Sequence, residues 1–192
     1  MKRKPLPTEL LKRPFSLAEA LSYGLSKSYL TRMVKAGLLE RLGRGVYQVS
    51  SADPEEREEL YHIATLRCGI PSAICLLSAL DHYHLTDQIP KRTWMLVPAS
   101  KRVSASDLKL IRSRNPHWKI GIRKTRQYWI TTVDRTLIDC IVYMRLIGSQ
   151  VALSALKLAI GQNKTKPGTL YDLAKKMKVA HRIRPYVQVL TS

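Results

Sequence analysis

Apolar residues recur with a period close to 3.6 over two neighbouring stretches near the start of the chain, which is typical of helices with one buried face. The recurring positions are Leu17, Ala20, Leu21, Leu30, Met33 and Val34. They predict a first helix that begins after Ser16 and ends at Gly24, and a second helix over residues 27–36 that begins after Ser26 and ends at Gly37. Because only three residues separate the two helices, the stretch predicts a helix-turn-helix.

Two features at and before the first helix extend this prediction. Ser16 and Glu19 form a capping box, in which the Ser16 hydroxyl accepts a hydrogen bond from a helix-start amide and Glu19 reaches back to the Ser16 amide. A shorter helix is expected over residues 9–13. We expect its Leu10 and Leu11 to pack on the helix pair and complete a three-helix core.

A strand, a turn and a second strand follow the helix pair. The strands are expected over residues 38–41 and 46–49, and the turn is the Gly-Arg-Gly segment at residues 43–45. The two glycines permit a positive φ at the tip and leave Arg44 as its only long side chain. Helix, turn, helix and wing in this order predict a winged helix-turn-helix over residues 1–52.

The exposed face predicted for the second helix is basic and rich in hydroxyl groups, which suits the major groove of DNA. We expect Ser28, Thr31 and Arg32 to reach base edges, while lysines on the same face hold phosphates. The predicted DNA-binding residues are Lys27, Ser28, Thr31, Arg32, Lys35, Arg41 and Arg44. The alternative is a helical hairpin whose basic face is only solvated. The order of the elements favours DNA binding.

The rest of the chain predicts a larger domain over residues 53–192. Its helices are expected over residues 53–68, 72–83, 134–146, 151–160 and 170–179, and its strands over residues 93–97, 119–123 and 127–131. The last two strands would pair as an antiparallel hairpin. Asp53 and Asp134 would cap two of the helices, and Arg135 with Asp139 would form an i,i+4 ion pair. The predicted fold class is α+β: a winged helix-turn-helix followed by a larger mixed domain with a small antiparallel sheet and several helices.

The chain carries a formal net charge of +19, which is unevenly distributed. Residues 1–50 hold ten basic and three acidic side chains, residues 51–90 hold two and seven, and residues 91–192 hold twenty-one and four. A field of this size attracts polyanions and accelerates encounter with them. The positive charge is therefore not confined to the predicted DNA-binding domain.

Basic residues surround the predicted strands of the second domain, with Trp118 and Tyr128 among them. Those that we assign to a nucleic-acid or partner surface are Lys101, Arg102, Arg112, Arg114, Arg123, Lys124 and Arg126. Phosphates would meet the cations, and exposed bases would stack on the aromatic rings. The alternative is a basic, solvated sheet edge whose aromatic side chains lie in the core, and the sequence favours neither.

Several classes of site are not indicated by the sequence. Its three cysteines show no CxxC spacing, and His82 and His84 have no third ligand at metal-binding spacing. No Glu follows Glu59, and there is no P-loop, GxSxG or HExxH pattern. No apolar run approaches the roughly 20 residues of a bilayer span. We expect a cytoplasmic protein that is not an enzyme, with no catalytic residue, cofactor or metal.

Three stretches of the chain resemble AbiEi-type antitoxins of abortive-infection toxin–antitoxin systems. They are AGLLERLGRGVYQV at the wing, PSAICLLSALDHYHLTDQIPKRTWMLVP in the middle and TTVDRTLIDCIVYMRLIG in the second domain. The resemblance implies an antitoxin of a type IV system, which binds operator DNA to repress its own operon. It also implies a toxin partner, an AbiEii-like nucleotidyltransferase that is countered without a stable complex. RNA is a further candidate partner of the basic domain, and no membrane partner is expected.

Two other functions are left open by the sequence. One is a transcriptional regulator whose second domain binds a ligand or dimerises, with no toxin partner. The other is a metal-dependent nuclease, which the shortage of acidic residues in the C-terminal half disfavours.

Overall fold

The computed structural model describes residues 5–50, 57–103 and 105–191. It divides the chain into two compact units, Met1–Ile70 (unit 1) and Pro71–Ser192 (unit 2). Unit 1 contains a three-stranded antiparallel sheet and unit 2 a five-stranded mixed sheet, each accompanied by helices. This architecture confirms the predicted α+β class.

Unit 1 is a helix-turn-helix with a β-hairpin wing, as the sequence predicts. Its elements are α1 (Thr8–Leu11), β1 (Phe15–Ser16), α2 (Leu17–Ser22), α3 (Lys27–Lys35), β2 (Leu39–Gly43), β3 (Val46–Val49) and α4 (Arg57–Cys68). Strands β2 and β3 form the antiparallel wing, and β1 pairs with the other side of β3 in the order β1-β3-β2. The sequence does not predict β1, since two residues are too few to show an alternating pattern.

The core of unit 1 collects side chains from every element from α1 to β3. Its buried members are Leu10, Phe15, Ala20, Leu25, Leu30, Leu39 and Tyr47. The expectation that Leu11 and Leu21 also lie in this core is wrong, since they are 45% and 50% exposed. Each follows a fully buried neighbour on a short helix, so it points about 100° away from that neighbour and into solvent.

Both helices of the pair begin at serine caps. The Ser16 hydroxyl accepts a hydrogen bond from the Glu19 amide at 3.1 Å, and the Ser26 hydroxyl accepts one from the Tyr29 amide at 3.1 Å. The second half of the predicted capping box is wrong, because the Glu19 carboxylate does not return to the Ser16 amide. It accepts hydrogen bonds from the Arg13 guanidinium, and this ion pair raises the pKa of Arg13.

Helix α4 packs on β1 and β3, so the first compact unit extends to Ile70 rather than to residue 52. One of the contacts is polar: the Gln48 side chain on β3 donates a hydrogen bond to the Glu59 carboxylate at 3.0 Å. The helix ends near Cys68, as expected. The cap predicted at Asp53 lies outside the described residues.

Unit 2 packs helices against a mixed sheet. Its elements are β4 (Ala73–Ile74), α5 (Leu76–His82), β5 (Thr93–Pro98), β6 (Leu108–Ser113), β7 (Ile122–Lys124), β8 (Trp129–Thr131), α6 (Val133–Val142), α7 (Met144–Ile147), α8 (Ser149–Gly161), α9 (Pro167–Lys176) and α10 (Ala180–Thr191). The strand order is β6-β5-β4-β8-β7, in which β5 with β6 and β4 with β8 are parallel. Strands β6 and β7 are therefore the edges of this sheet.

The structure corrects several elements predicted for unit 2. The antiparallel hairpin is confirmed, with strands β7 and β8 shorter than expected. The helix predicted over residues 72–83 is wrong at its start, because Ala73 and Ile74 form the central strand β4 and the helix begins at Leu76. An apolar run without periodicity fits a buried strand as well as a buried helix. The sequence also misses β6, whose apolar residues are interrupted by basic ones, and α10, which contains Pro185.

A buried ion pair lies in the core of unit 2. Arg135 is 2% exposed, and its Nε donates a hydrogen bond to the Asp139 carboxylate at 2.8 Å, which confirms the predicted i,i+4 pair. Its guanidinium also donates to two backbone carbonyl oxygens of the segment before β7. Gly121 in that segment lies so close that a Cβ on it would be 2.7 Å from the Arg135 Cβ. The cap of α6 is Thr132 rather than the predicted Asp134.

Replacing Arg135 with alanine is expected to lower the free energy of unfolding of unit 2 by about 3–5 kcal/mol, because a buried carboxylate and two carbonyl groups lose their donor. Urea unfolding followed by tryptophan fluorescence reports on this unit, since all three tryptophans lie in it. The exposed Arg126→Ala is the matched control and should stay within about 0.5 kcal/mol of the wild type. Equal stability of Arg135→Ala and wild type would contradict the structural role of the pair.

The pH dependence of this loss gives a second check. Burial raises the pKa of Asp139 to about 6, against the opposing effect of Arg135. A pKa above the unfolded value means that the stability contributed by this carboxyl is present at low pH and is lost as the pH rises through the folded pKa. Removing Arg135 raises that pKa further, so the deficit of Arg135→Ala should be larger at about pH 8 than at about pH 5.

Candidate nucleic-acid interface

Helix α3 presents a polar face whose width is set by the apolar face behind it. Leu30 is fully buried, and Met33 and Val34 are partly buried against the same core. The exposed side chains on the opposite side are Lys27, Ser28, Thr31, Arg32 and Lys35. At 100° per residue they span an arc of about 140°. The prediction that these five side chains point outward is confirmed.

Local contacts orient three side chains of this arc. The Thr31 hydroxyl donates a hydrogen bond to the Lys27 carbonyl oxygen at 2.9 Å, and the Ser28 hydroxyl lies 2.9 Å from the capping hydroxyl of α3. The Arg32 guanidinium lies 6.0 Å from the centroid of the Tyr29 ring, within reach of a cation–π interaction. These contacts leave hydroxyl lone pairs and guanidinium N–H groups free to form hydrogen bonds with another molecule.

The wing turns tightly at Arg44 and Gly45, and a backbone hydrogen bond holds its tip against the start of α2. Gly45 has φ 74°, a value that L side chains rarely adopt, and its carbonyl oxygen accepts a hydrogen bond from the Leu17 amide at 2.7 Å. The expectation that both glycines of the turn use positive φ is wrong for Gly43. This glycine instead makes room for Arg67 of α4, whose Nε would lie 2.9 Å from a Cβ at that position.

Both arginines predicted for the wing are exposed. Arg41 donates a hydrogen bond from its Nε to the Gly43 carbonyl oxygen at 3.2 Å, so its side chain follows the strand toward the tip. In the described part of the chain, no ion pair or hydrogen bond involves the side chains of Lys27, Lys35 or Arg44. Charged groups without an internal partner are available to phosphates.

The basic surface predicted for unit 2 is divided between the two edges of its sheet. Residues near the β6 edge are Lys101, Arg102, Arg112 and Arg114, and residues near the β7 edge are Arg123, Lys124 and Arg126. Four strand spacings separate these edges, which corresponds to about 19 Å. Arg112 donates to the Lys101 carbonyl oxygen at 3.4 Å, whereas Arg123 donates to the Tyr83 hydroxyl at 3.2 Å. The two groups therefore form separate surfaces.

The aromatic side chains that the sequence places among these cations are buried, with Trp118 at 8% and Tyr128 at 3% exposure. For Trp118 and Tyr128, the alternative in which the aromatic side chains lie in the core is therefore correct. Two other tryptophans are only partly buried and lie beneath lysines of the neighbouring strand. The pairs are Lys109 with Trp94, at 5.8 Å from Nζ to ring centroid, and Lys124 with Trp129, at 5.9 Å. Sequence reasoning misses them because each pair is created by strand register.

The described part of the chain contains no group of three or more His, Cys, Asp or Glu side chains that could hold a metal. His82 packs edge-on against the rings of Tyr83 and Tyr128. Cys140 is buried, and burial raises the pKa of its thiol well above the usual value. No helix among residues 5–50, 57–103 and 105–191 has the length and apolar character needed to cross a membrane.

Comparison with known proteins gives one family match. Residues 6–50 match the model of a family described as "Transcriptional regulator, AbiEi antitoxin". The match begins just before α1 and ends with the wing, so it covers the helix-turn-helix and none of unit 2. A search of curated proteins finds no match to the chain. The resemblance seen at the wing is confirmed over residues 6–50, where the chain is similar to the AbiEi antitoxin family of transcriptional regulators.

Proposed function

We propose that this protein is a cytoplasmic antitoxin of a type IV toxin–antitoxin system, which represses its own operon by binding operator DNA through unit 1. The observation that carries the DNA-binding role is the exposed polar arc of α3, together with the exposed Arg44 of the wing, within a stretch that matches a family of transcriptional regulators. An exposed basic arc on a helix whose other face is buried has the form that duplex DNA accepts.

The docking geometry follows from the dimensions of DNA. The major groove is about 12 Å wide and admits one α-helix, so α3 would lie in it with its polar arc on the base edges. Ser28, Thr31 and Arg32 are the side chains assigned to base edges. Lys27 and Lys35 lie at the two ends of α3 and would neutralise phosphates on the groove walls. Arg44 at the wing tip would contact the backbone beside the groove.

The second part of the proposal concerns unit 2, which would counter a nucleotidyltransferase-like toxin without forming a stable complex. It is supported by the resemblance of residues 71–98 to the middle stretch of AbiEi-type antitoxins and of residues 131–148 to their C-terminal domain. The alternative is a regulator whose unit 2 binds a ligand or dimerises, with no toxin partner. The gene next to that of this protein distinguishes the two, because only the first requires a toxin there.

Co-expression with the neighbouring gene product tests the proposed function in the full chain. The double variant Arg32→Ala/Arg44→Ala should still protect cells from the toxin but should no longer repress a reporter placed behind the operator, because only unit 1 is altered. Wild-type protein should do both. Repression without any protection by the wild type would support the regulator alternative and contradict the antitoxin role.

Replacing Arg32 with alanine should reduce the preference for operator over random DNA by about 5- to 150-fold, since a bidentate arginine–base contact contributes about 1–3 kcal/mol of discrimination. Competition titrations with labelled operator measure this ratio. Lys12→Ala removes one exposed charge of unit 1 outside the arc and serves as the control, with little change in the ratio. If Arg32→Ala keeps the wild-type preference for operator over random DNA, α3 is not the recognition helix.

Replacing Arg44 with alanine should weaken binding to operator and to random DNA by the same factor, because a phosphate contact carries no sequence information. The slope of log K against log salt concentration should become shallower by about 0.9 for the single lost phosphate contact. Fluorescence anisotropy at several salt concentrations gives both quantities. A loss confined to the operator would instead place Arg44 on a base.

A further inference from the structure

Two cavities in unit 2 adjoin at Leu146, which lines both of them. The smaller cavity has a volume of about 490 Å³ and lies between the segment before β5, the first residues of β6 and α7. The larger cavity has a volume of about 930 Å³ and lies between α7, the start of α8 and the start of α10. Leu146 is itself 44% exposed, so the two cavities open on one surface, here named the Leu146 track.

The smaller cavity combines an aromatic wall with a cationic rim. The Trp94 ring lines it, with the Lys109 Nζ 5.8 Å from the ring centroid. Lys91 and Arg92 are exposed at the same cavity, and Ile89 adds an apolar side chain that is 72% exposed. A phosphate alone would satisfy the cations and leave the isoleucine and the indole in water. The combination suits a ligand that is anionic at one end and flat and apolar at the other.

The larger cavity repeats this combination with different residues. Arg145 and Arg182 line it and are exposed, and His181 lies next to Arg182. Tyr186 contributes an aromatic ring, which is held in place by a contact of its hydroxyl with the Met144 sulfur at 3.7 Å. The two cavities therefore present the same chemistry on either side of Leu146.

The described lining of both cavities contains no carboxylate. Three of the carboxylates elsewhere in unit 2 have partners of their own: Asp134 with Thr165, Asp139 with Arg135 and Asp172 with Lys175. The exposed Asp87 lines a different cavity. Within the described ranges, no ion pair or side-chain hydrogen bond engages Lys91, Arg92, Arg145 or Arg182. The positive field of the Leu146 track is therefore not neutralised from within, and a row of phosphates would complement it.

We propose that the Leu146 track binds single-stranded nucleic acid, with one nucleotide in each cavity. One base would pack on Trp94 and another against Tyr186, and the phosphates would lie on Lys91 with Arg92 and on Arg145 with Arg182. The assignment concerns unit 2 alone and stands whether or not unit 1 binds an operator. For single strands, the track takes the place of the surface predicted from the sequence, because none of the seven residues of that surface lines either cavity. Lys101 and Arg102 are therefore not expected to contact the strand.

The shape of the track favours a single strand over other anions. Both volumes fall in the range of about 300–1,000 Å³ that holds small ligands, so a nucleotide fits and a duplex does not. Bases present their faces to aromatic side chains only when they are unstacked, which requires a single strand. An acidic protein segment would pair with the cations but leave Trp94 without a partner. It is therefore the competing occupant that the experiment must distinguish.

The chain offers a matched control for this test in two Lys-Arg dipeptides. Lys91-Arg92 lies on the track, whereas Lys101-Arg102 lines neither cavity. We would measure the affinity of the full chain for a labelled RNA strand of about 12 nucleotides, the same DNA strand, a DNA duplex and a polyglutamate peptide. The track variants are Lys91→Ala/Arg92→Ala and Arg145→Ala/Arg182→Ala. The comparison variants are Lys101→Ala/Arg102→Ala in unit 2 and Arg32→Ala/Arg44→Ala in unit 1.

Each track variant should bind the single strands about tenfold more weakly than wild type at about 0.15 M salt, with a salt slope shallower by about 1.4 for two lost phosphate contacts. Both comparison variants should stay within about twofold for single strands. If the unit 1 variant loses duplex binding and keeps strand binding, the duplex is bound by unit 1 and the single strand by unit 2. Stacking on Trp94 should also quench tryptophan fluorescence, and most of this quenching should disappear in Trp94→Phe.

Three outcomes would overturn the assignment. Equal losses of affinity for single strands in the track variants and in Lys101→Ala/Arg102→Ala would mean that the total charge of the protein, and not the track, determines strand binding. Polyglutamate binding that is stronger than strand binding and is lost in the track variants would identify an acidic protein segment as the occupant. Undiminished quenching in Trp94→Phe would show that no base stacks in the smaller cavity.

Discussion

Burial of Leu30 decides which side of α3 faces solvent. The side chain has no exposed surface and packs with Phe15 and Leu25 in the core of unit 1. Moving a leucine out of such a core costs several kcal/mol, so α3 is not free to rotate about its axis. Tyr47 of the wing belongs to the same core, and the tip at Gly45 is hydrogen-bonded to Leu17. The helix and the wing are therefore fixed to the same apolar core. Under the proposed function, their polar surfaces would bind DNA without rearrangement.

Local signals account for most of unit 1. The cap at Ser26, the stop at Gly37 and the spacing around Leu30 each act within one or two helical turns, and the structure follows all three. The same reasoning fails where a partner comes from farther along the chain. Glu19 has the spacing of a capping box, yet its carboxylate binds Arg13, because a guanidinium is a stronger partner than a backbone amide. Whether such a cation lies within reach depends on the tertiary fold.

Unit 2 shows the limits of sequence reasoning more clearly. Ala73 and Ile74 are apolar, which fits a buried helix as well as a buried strand. Their pairing with both β5 and β8 makes them the central strand of the sheet. The count of basic residues predicts a domain that attracts polyanions, but it does not say which cations lie together. Trp94 lies beside Lys109 because of the parallel register of β5 and β6. Leu146 joins two cavities that also contain residues far from it in sequence, such as Lys91 in one and Arg182 in the other. These groupings are properties of the topology.

The orientation of α3 on DNA is tested most directly by methylation interference on the operator. Dimethyl sulfate methylates guanine N7, which lies in the major groove, and adenine N3, which lies in the minor groove. If α3 reads the major groove with Arg32 and Thr31, methylation of one or more operator guanines at N7 should block binding, while methylation at adenine N3 in the same site should have little effect. If methylation at adenine N3 blocks binding and methylation at guanine N7 never does, the placement of α3 in the major groove is contradicted.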